Sequence, residues 1–155
     1  MSAPLLSAIA AETAALQRFI AVLEEEQKLL ISGNADAVLP LIEQKTALIA
    51  DLGAAGLQRE AALQALGVEI RKDAMEDWIA GAAAELKTPW QTLLELAQTA
   101  NRLNSTNGQL INTRLQYNQQ ALSILVNASG SLSDDTYGPD GHKSAGASSR
   151  PLGSA

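Results

Sequence analysis

Side chains that commonly perform catalysis or bind metals are few in this chain. None of the 155 residues is a cysteine, which excludes disulfides, thiolate metal sites and cysteine nucleophiles. The single histidine, His142, lies in a Gly/Ser-rich stretch, so a Ser-His-Asp triad or a multi-histidine metal site has no histidine on a regular element. Gly53, Gly56 and Gly67 do not form a phosphate-binding loop. We therefore predict no enzymatic activity, no cofactor and no metal site.

Three consecutive carboxylates, Glu24, Glu25 and Glu26, form the densest acidic group. Successive residues of a helix point about 100° apart, so these side chains cannot converge on one ion or substrate. A solvated acidic face is the prediction for all three. The net charge of −6 also disfavours nucleic acid and anionic membranes as main partners, because both require a basic surface.

The composition indicates which elements hold these side chains. The chain contains 28 Ala and 24 Leu, but Val, Ile and Thr together number only 21 and the aromatic residues five. Such a chain favours helix over strand. We predict an all-α fold: an elongated, coiled-coil-like antiparallel helical hairpin or bundle over residues 1–127, followed by a flexible, disordered tail over 128–155.

The first helix is predicted from Leu5 to Ile31, where apolar and small polar residues alternate by three and four. This predicted seam consists of Leu6, Ile9, Thr13, Leu16, Ile20, Leu23, Gln27 and Leu30. A heptad pattern of this length favours a long helix that packs against another helix. Gly33 is expected to end the helix and Asn34 to cap the next.

A second helix is predicted from Asn34 to about Leu66, with a late start or a small kink at Pro40 and an end at Gly67. A shorter amphipathic segment, 71–86, follows. Its apolar side contains Met75, Trp78, Ile79 and Leu86.

The last helix is predicted to start at a capping box, with Thr88 as the cap, Pro89 in the first helical position and Gln91 three residues after the cap. It is expected to end near Asn127. After that residue Gly, Ser, Ala, Asp and Pro dominate, and too few large apolar side chains remain to offset chain entropy.

The polar residues of the last helix are amides rather than charges. Between Glu95 and Asp134 no acidic residue occurs, and Arg102 and Arg114 are the only charged side chains. A solvated coiled-coil face is normally rich in Glu and Lys. Two interpretations follow: buried amides that fix the helix register, or a surface that another protein covers, since a neutral amide costs less to bury than a charge. Gly108, in mid-helix, favours close approach of another backbone.

Three short motifs lie in and after this helix. They are Asn104-x-x-Asn107-Gly108-x-Leu110-Ile111, Asn118-Gln119-Gln120-Ala121-Leu122-x-x-Leu125 and Tyr137-Gly138-Pro139-Asp140-Gly141. Together they resemble the flagellar export chaperone family FlgN. The likeness covers about residues 10–141, and the N-terminal half agrees more loosely, through Glu26-x-x-x-Leu30 and Lys45-x-x-Leu48-Ile49-x-x-Leu52. After Gly141 the chain departs from the family pattern.

The resemblance implies a cytoplasmic, non-enzymatic chaperone of the flagellar type III export system. Such a protein holds C-terminal helical segments of the hook-associated proteins FlgK and FlgL and delivers them to the export gate. The client-binding residues implied on the last helix are Asn104, Asn107, Gly108, Ile111, Leu115, Asn118, Leu122 and Leu125. The tail residues implied to dock on the gate protein FlhA are Tyr137, Gly138, Asp140 and Gly141, where Gly and Pro also favour a turn.

The helical pattern also fits proteins other than an export chaperone. A cytoplasmic coiled-coil adaptor, or a structural bundle that protects no client, has the same helical pattern. The purely apolar runs are short and the N-terminus lacks a basic segment, so neither membrane insertion nor a signal peptide is expected. A homodimer of the client-free protein is compatible with the sequence.

Overall fold

The structure is a computed structural model that describes the backbone of residues 2–134 and the side chains of residues 2–129. In that part of the chain every regular element is helical, which confirms the predicted all-α fold. The elements are α1 (Ala3–Ser32), α2 (Ala35–Ala65), α3 (Lys72–Ala82), a 3₁₀ turn (Ala84–Leu86) and α4 (Lys87–Asp134). Contacts divide the chain into two compact units at the boundary between Ile111 and Asn112, within α4.

The predicted helix boundaries are confirmed where glycine or asparagine marks them. Gly33 ends α1 with a φ of 84°, and Gly67 follows α2 with a φ of 72°. The Asn34 side chain accepts a hydrogen bond from the Ala37 amide at 3.4 Å and caps α2. Of the two alternatives predicted for Pro40, a late start or a small kink, the late start is wrong. Pro40 lies inside a helix that already begins at Ala35, because the Asn34 cap fixes the first turn.

The buried residues of α1 agree with the predicted seam at Ile9, Leu16, Ile20, Leu23 and Leu30 and differ from it at the other positions. Leu6 is exposed, and Thr13 and Gln27 are only partly buried. The observed seam alternates by three and four and consists of the buried residues Leu5, Ile9, Leu16, Phe19, Leu23, Glu26 and Leu30, with the partly buried Glu12 between Ile9 and Leu16. Two positions of this seam are therefore carboxylates, and one of them, Glu26, had been predicted to face solvent.

Two ion pairs join α1 to α2 at these positions. Glu12 accepts hydrogen bonds from the Arg59 guanidinium, the shorter at 2.6 Å, and Glu26 lies 3.2 Å from the Lys45 ammonium group. Along α1 the two glutamates are two heptads apart, and along α2 their partners are two heptads apart in the reverse order. The ion pairs therefore fix one antiparallel register for the α1–α2 hairpin.

The prediction of a solvated face for all three consecutive carboxylates is wrong for Glu26. Glu24 and Glu25 are exposed, but the Glu26 residue retains only 2% of its accessible surface. Because Leu23 and Leu30 lie three and four residues from Glu26, its side chain falls on the same buried stripe. Lys45, which the sequence places on the apolar face of α2, supplies the compensating charge.

The segment between α2 and α4 contributes side chains to the hydrophobic core. As predicted, Met75, Ile79 and Leu86 are buried and Trp78 packs against them from the edge. Trp90 of α4 joins the same cluster, and the Arg59 guanidinium lies over its indole ring, 5.7 Å from the ring centre. Arg59 therefore contacts both Glu12 of α1 and Trp90 of α4, which ties three helices together at one level of the bundle.

The first turn of α1 is also linked to the 3₁₀ turn. The Ser2 hydroxyl donates a hydrogen bond to the Glu85 carboxylate at 2.6 Å. This bond favours the charged form and holds the pKa of Glu85 below its ordinary value. Because Ser2 precedes α1 and Glu85 precedes α4, the two helices begin at the same end of the first unit.

Both ends of α4 differ from the prediction. The helix begins at Lys87, so Thr88 and Pro89 lie inside its first turn and Thr88 is not the cap. The 3₁₀ turn ending at buried Leu86 leads directly into α4, and proline is tolerated because amides of a first turn have no partner within the helix. The helix also continues past Asn127 to Asp134, since extending an existing helix costs far less than starting one.

By length and composition alone, α1 could cross a membrane. An 18-residue window reaches a mean hydropathy of 1.4, although no uninterrupted apolar run of that length exists. Core helices of soluble proteins pass the same test. Here the apolar side chains of α1 pack against α2, α3 and α4 in one core cluster, and two glutamates interrupt its buried seam. We therefore describe α1 as a core helix.

Replacing Lys45 with alanine should test the buried ion pair. The Glu26 carboxylate would lose its compensating charge, and we expect the free energy of unfolding to fall by about 2 kcal/mol. The control is Lys28→Ala, on an exposed position of the same hairpin, which should stay within about 0.5 kcal/mol of the parent. Urea denaturation followed by circular dichroism measures both. Equal effects of the two changes would contradict the importance assigned to this pair.

Candidate binding surface on the last helix

The part of α4 in the first unit presents one stripe to the bundle. Trp90, Leu93 and Ala100 are buried, and Asn107 continues their spacing seven residues later. These residues recur at intervals of three and seven, which places them on one helix face. The direction of this face decides which of the predicted binding residues can reach a partner.

Asn107 lies inside the protein. Its side chain has no accessible surface, and its Nδ2 donates to the Leu23 carbonyl oxygen at 2.8 Å and to Glu26 Oε1 at 2.9 Å. Asn107 is therefore the third member of the Glu26–Lys45 layer and connects α4 to α1. This position agrees with the first interpretation of the amides, as register-fixing groups, and Asn107 is not included in the binding surface proposed below.

The hydrogen bonding of Asn107 is incomplete. Its Oδ1 atom is buried and has no hydrogen-bond partner, and the same is true of Trp90 Nε1. Rotating the amide would not help, because both Nδ2 partners are acceptors. A buried, unsatisfied carbonyl costs about 1–3 kcal/mol. Nδ2 makes one hydrogen bond to the Leu23 carbonyl and one charge-assisted hydrogen bond to Glu26. These two bonds offset the cost and keep the side chain in place.

The neighbouring predicted residues of the first unit lie nearer to solvent. Asn104 and Ile111 are exposed, and Gly108 is partly buried. A Cβ atom built on Gly108 would meet no atom within 4 Å. No described group of the chain therefore makes the close approach that a mid-helix glycine permits, and the space beside Gly108 is open.

In the second unit the predicted binding residues are all exposed. Leu115, Asn118, Leu122 and Leu125 follow one another by three and four residues, so they form one stripe on α4. Leu122 and Leu125 retain 60% and 63% of their accessible surface. An exposed apolar stripe of this kind is typical of a surface that binds a partner.

Three large apolar residues of the same unit were not predicted as binding residues. Tyr117, Ile124 and Val126 are each more than 60% exposed. The signal for two of them is the seven-residue spacing that links Leu103 and Leu110 to Tyr117 and Ile124. The family motifs do not include these positions, so the resemblance did not identify them as binding residues.

The electrostatic surroundings of the stripe are close to neutral. Arg114 is the single charged residue among the described side chains from 112 to 129, and the polar face opposite carries Gln116, Gln119, Gln120 and Ser123. In the described residues no group of three or more His, Cys, Asp or Glu side chains could hold a metal ion. The surface is therefore suited to binding an apolar helix.

The predicted gate-docking residues lie outside the described residues. They are Tyr137, Gly138, Asp140 and Gly141.

Comparison with known proteins gives one family. The family described as "FlgN protein" matches residues 1–145. A "Flagella synthesis protein FlgN" of Yersinia enterocolitica is 30% identical over 129 residues, which cover 82% of this chain and 80% of the relative. The protein of the same description from Yersinia enterocolitica serotype O:8 / biotype 1B has the same identity and coverage. No solved structure gives a significant match.

Replacing Gly108 with alanine should separate stability from binding. Because space is open around Gly108, the added methyl group should raise the free energy of unfolding by about 0.5–1 kcal/mol, measured by urea denaturation. A partner whose backbone approaches this face should bind the variant more weakly. Gly53→Ala, in the interior of α2 and equally open, is the control and should give the stability gain alone. Unchanged partner affinity for both variants would show that no backbone approaches Gly108.

Proposed function

The chain belongs to the FlgN family, and on this basis we propose that it is a cytoplasmic chaperone of the flagellar type III export system. Its clients in this proposal are the hook-associated proteins of the FlgK and FlgL type. The chaperone binds their C-terminal helical segments, keeps them unassembled and delivers them to the export gate. No catalytic step is part of the proposal.

The observation that carries this proposal is the exposed apolar stripe of the second unit. Leu115, Leu122 and Leu125 are each more than half exposed. Burying a leucine side chain contributes roughly 1.5–3 kcal/mol. A partner that covers the stripe therefore gains several kcal/mol from these three residues, which offsets part of the cost of association.

The kind of ligand follows from the spacing of the stripe. Positions three and four residues apart accept an amphipathic helix that presents its own apolar residues in the same periodicity. Asn118, between the leucines, can pair with a polar group of the client and select one alignment. Asn104, Gly108 and Ile111, which belong to the first unit, are also proposed to contact the client.

Delivery to the gate is assigned to the segment after α4. We propose that Tyr137 is the anchor that docks on FlhA and that Gly138, Asp140 and Gly141 hold the turn that presents it. A tyrosine suits a transient contact because it combines an apolar ring with a hydroxyl group. The support for this assignment is the resemblance of the Tyr-Gly-Pro-Asp-Gly segment to the family's short docking motif.

Client binding can be tested with two variants of neighbouring residues. Leu122→Asp places a charge in the stripe that must lose its hydration on binding, so client affinity should fall at least ~30-fold, about 2 kcal/mol. Ser123→Asp adds the same charge on the polar face and should leave affinity within about twofold. Isothermal titration with a FlgK-type client measures both, and circular dichroism checks that each variant keeps its helix content.

Two outcomes of this test would contradict the proposal. Leu122→Asp could bind the client as tightly as the parent, or no FlgK- or FlgL-type protein could bind the parent at all. In the second case the chain is better described as a coiled-coil adaptor without a client-protecting role.

Gate docking can be tested without changing the helical part of the chain. Tyr137→Ala should leave the melting temperature and client affinity unchanged while it weakens binding to FlhA and slows client secretion, because the ring is the largest apolar group of the proposed motif. Truncation after Asp134 should reproduce the defect, whereas deletion of 142–155 should not, since the motif ends at Gly141.

The comparison of the two deletions locates the docking segment independently of the tyrosine. If FlhA binding and secretion both survive Tyr137→Ala, the assignment of the anchor is wrong. If the deletion of 142–155 is as harmful as the longer truncation, the docking residues lie after Gly141.

A further inference from the structure

The second unit carries two apolar stripes rather than one. The first stripe is the proposed client surface, Leu115, Asn118, Leu122 and Leu125. The second stripe runs along the same turns, also by intervals of three and four, and consists of Arg114, Tyr117, Ala121, Ile124 and Ala128. Arg114 is partly buried and the other residues of the second stripe are exposed.

The two stripes lie on different sides of α4. At about 100° per residue, their mean directions differ by roughly 100° around the helix axis. Together with Val126, the apolar residues surround more than half of the helix, and the remaining side carries only polar residues. A coiled-coil seam is narrower than this, because one partner helix covers one stripe of alternating threes and fours. Two separate stripes therefore provide contacts for two helices.

The second stripe also follows a pattern used inside the first unit. Leu103 and Leu110 are partly buried, and Tyr117 and Ile124 continue their seven-residue spacing along α4. Asn107, which belongs to the same series as Arg114 at seven residues, contacts a carboxylate of the helix packed against it. The heptad positions that bind a helix within the bundle thus continue, in the sequence, into residues that remain exposed.

We propose that one client molecule supplies two helical segments to α4, and that the second segment packs on the Tyr117–Ile124 stripe with a carboxylate opposite Arg114. This inference rests on the proposed function and defines the form of its client. Among the described residues Arg114 has no ion pair, and it is the only charge of the unit's described side chains. An acidic residue on the second segment complements it.

A single client that supplies both segments is favoured over two different partners, because its two segments are joined in one chain. When two segments belong to one chain, binding of the first raises the effective concentration of the second to about the millimolar range. The stripes overlap over about three turns of α4, so both segments can occupy the helix along the same length. A weak contact on the second stripe then increases affinity without any further protein.

The test uses full-length protein with one variant in each stripe. Ile124→Asp should lower the affinity for a FlgK-type client at least tenfold, as is expected of Leu122→Asp in the first stripe, while Ser123→Asp on the polar face should not. Arg114→Gln should lower the affinity severalfold and reduce its dependence on salt, because an ion pair is lost. Isothermal titration gives affinity and stoichiometry, and circular dichroism checks helix content.

A photo-crosslinker in place of the Tyr117 side chain identifies the occupant directly. Tyr117→p-benzoylphenylalanine should crosslink to the client in a complex with one chaperone and one client molecule. Crosslinking to a second copy of the chaperone would overturn the inference, as would wild-type affinity of Ile124→Asp. If Leu122→Asp alone weakens binding, the proposed function stands and only this inference fails. If neither variant weakens binding, the client surface itself is wrong.

Discussion

The buried carboxylate of Glu26 constrains the arrangement of the three long helices. A carboxylate removed from water is strongly unfavourable unless a charge and hydrogen bonds compensate it. Here the compensation comes from two different helices, Lys45 of α2 and Asn107 of α4. An apolar heptad seam alone could pair in several alignments, but a polar layer of three matched groups permits only one. The second layer, where Arg59 contacts Glu12 and Trp90, acts in the same direction.

This constraint also separates the two roles of the amides in α4. Asn107 is turned inward because Glu26 needs a donor, and its contact fixes the face of α4 that the bundle covers. In the second unit Asn118 lies between exposed leucines instead, where a neutral side chain lowers the cost of covering the surface. The same residue type therefore serves internal alignment at one position and, in the proposed function, client alignment at another.

Much of the fold follows from local sequence signals. The helix breaks at Gly33 and Gly67 and the cap at Asn34 need particular backbone conformations or hydrogen bonds, which few other residues supply. The full buried seam of α1 could not be predicted from the sequence, because adjacent apolar pairs such as Leu5 and Leu6 satisfy two alternative seams equally well. Only the partner positions on α2 decide between them. On α4 the family motifs identified the exposed leucines, but the buried position of Asn107 depends on Glu26, 81 residues earlier.

In the proposed function, the exposed apolar part of α4 becomes covered when the protein binds its client. Amide hydrogen exchange of the full chain, with and without a FlgK-type client, tests it directly. Residues 112–129, nearly all of which are exposed in the described part of the chain, should exchange rapidly in the free protein and at least tenfold more slowly in the complex. Exchange in this segment that stays the same on client binding, with new protection confined to α1 or α2, would contradict the account.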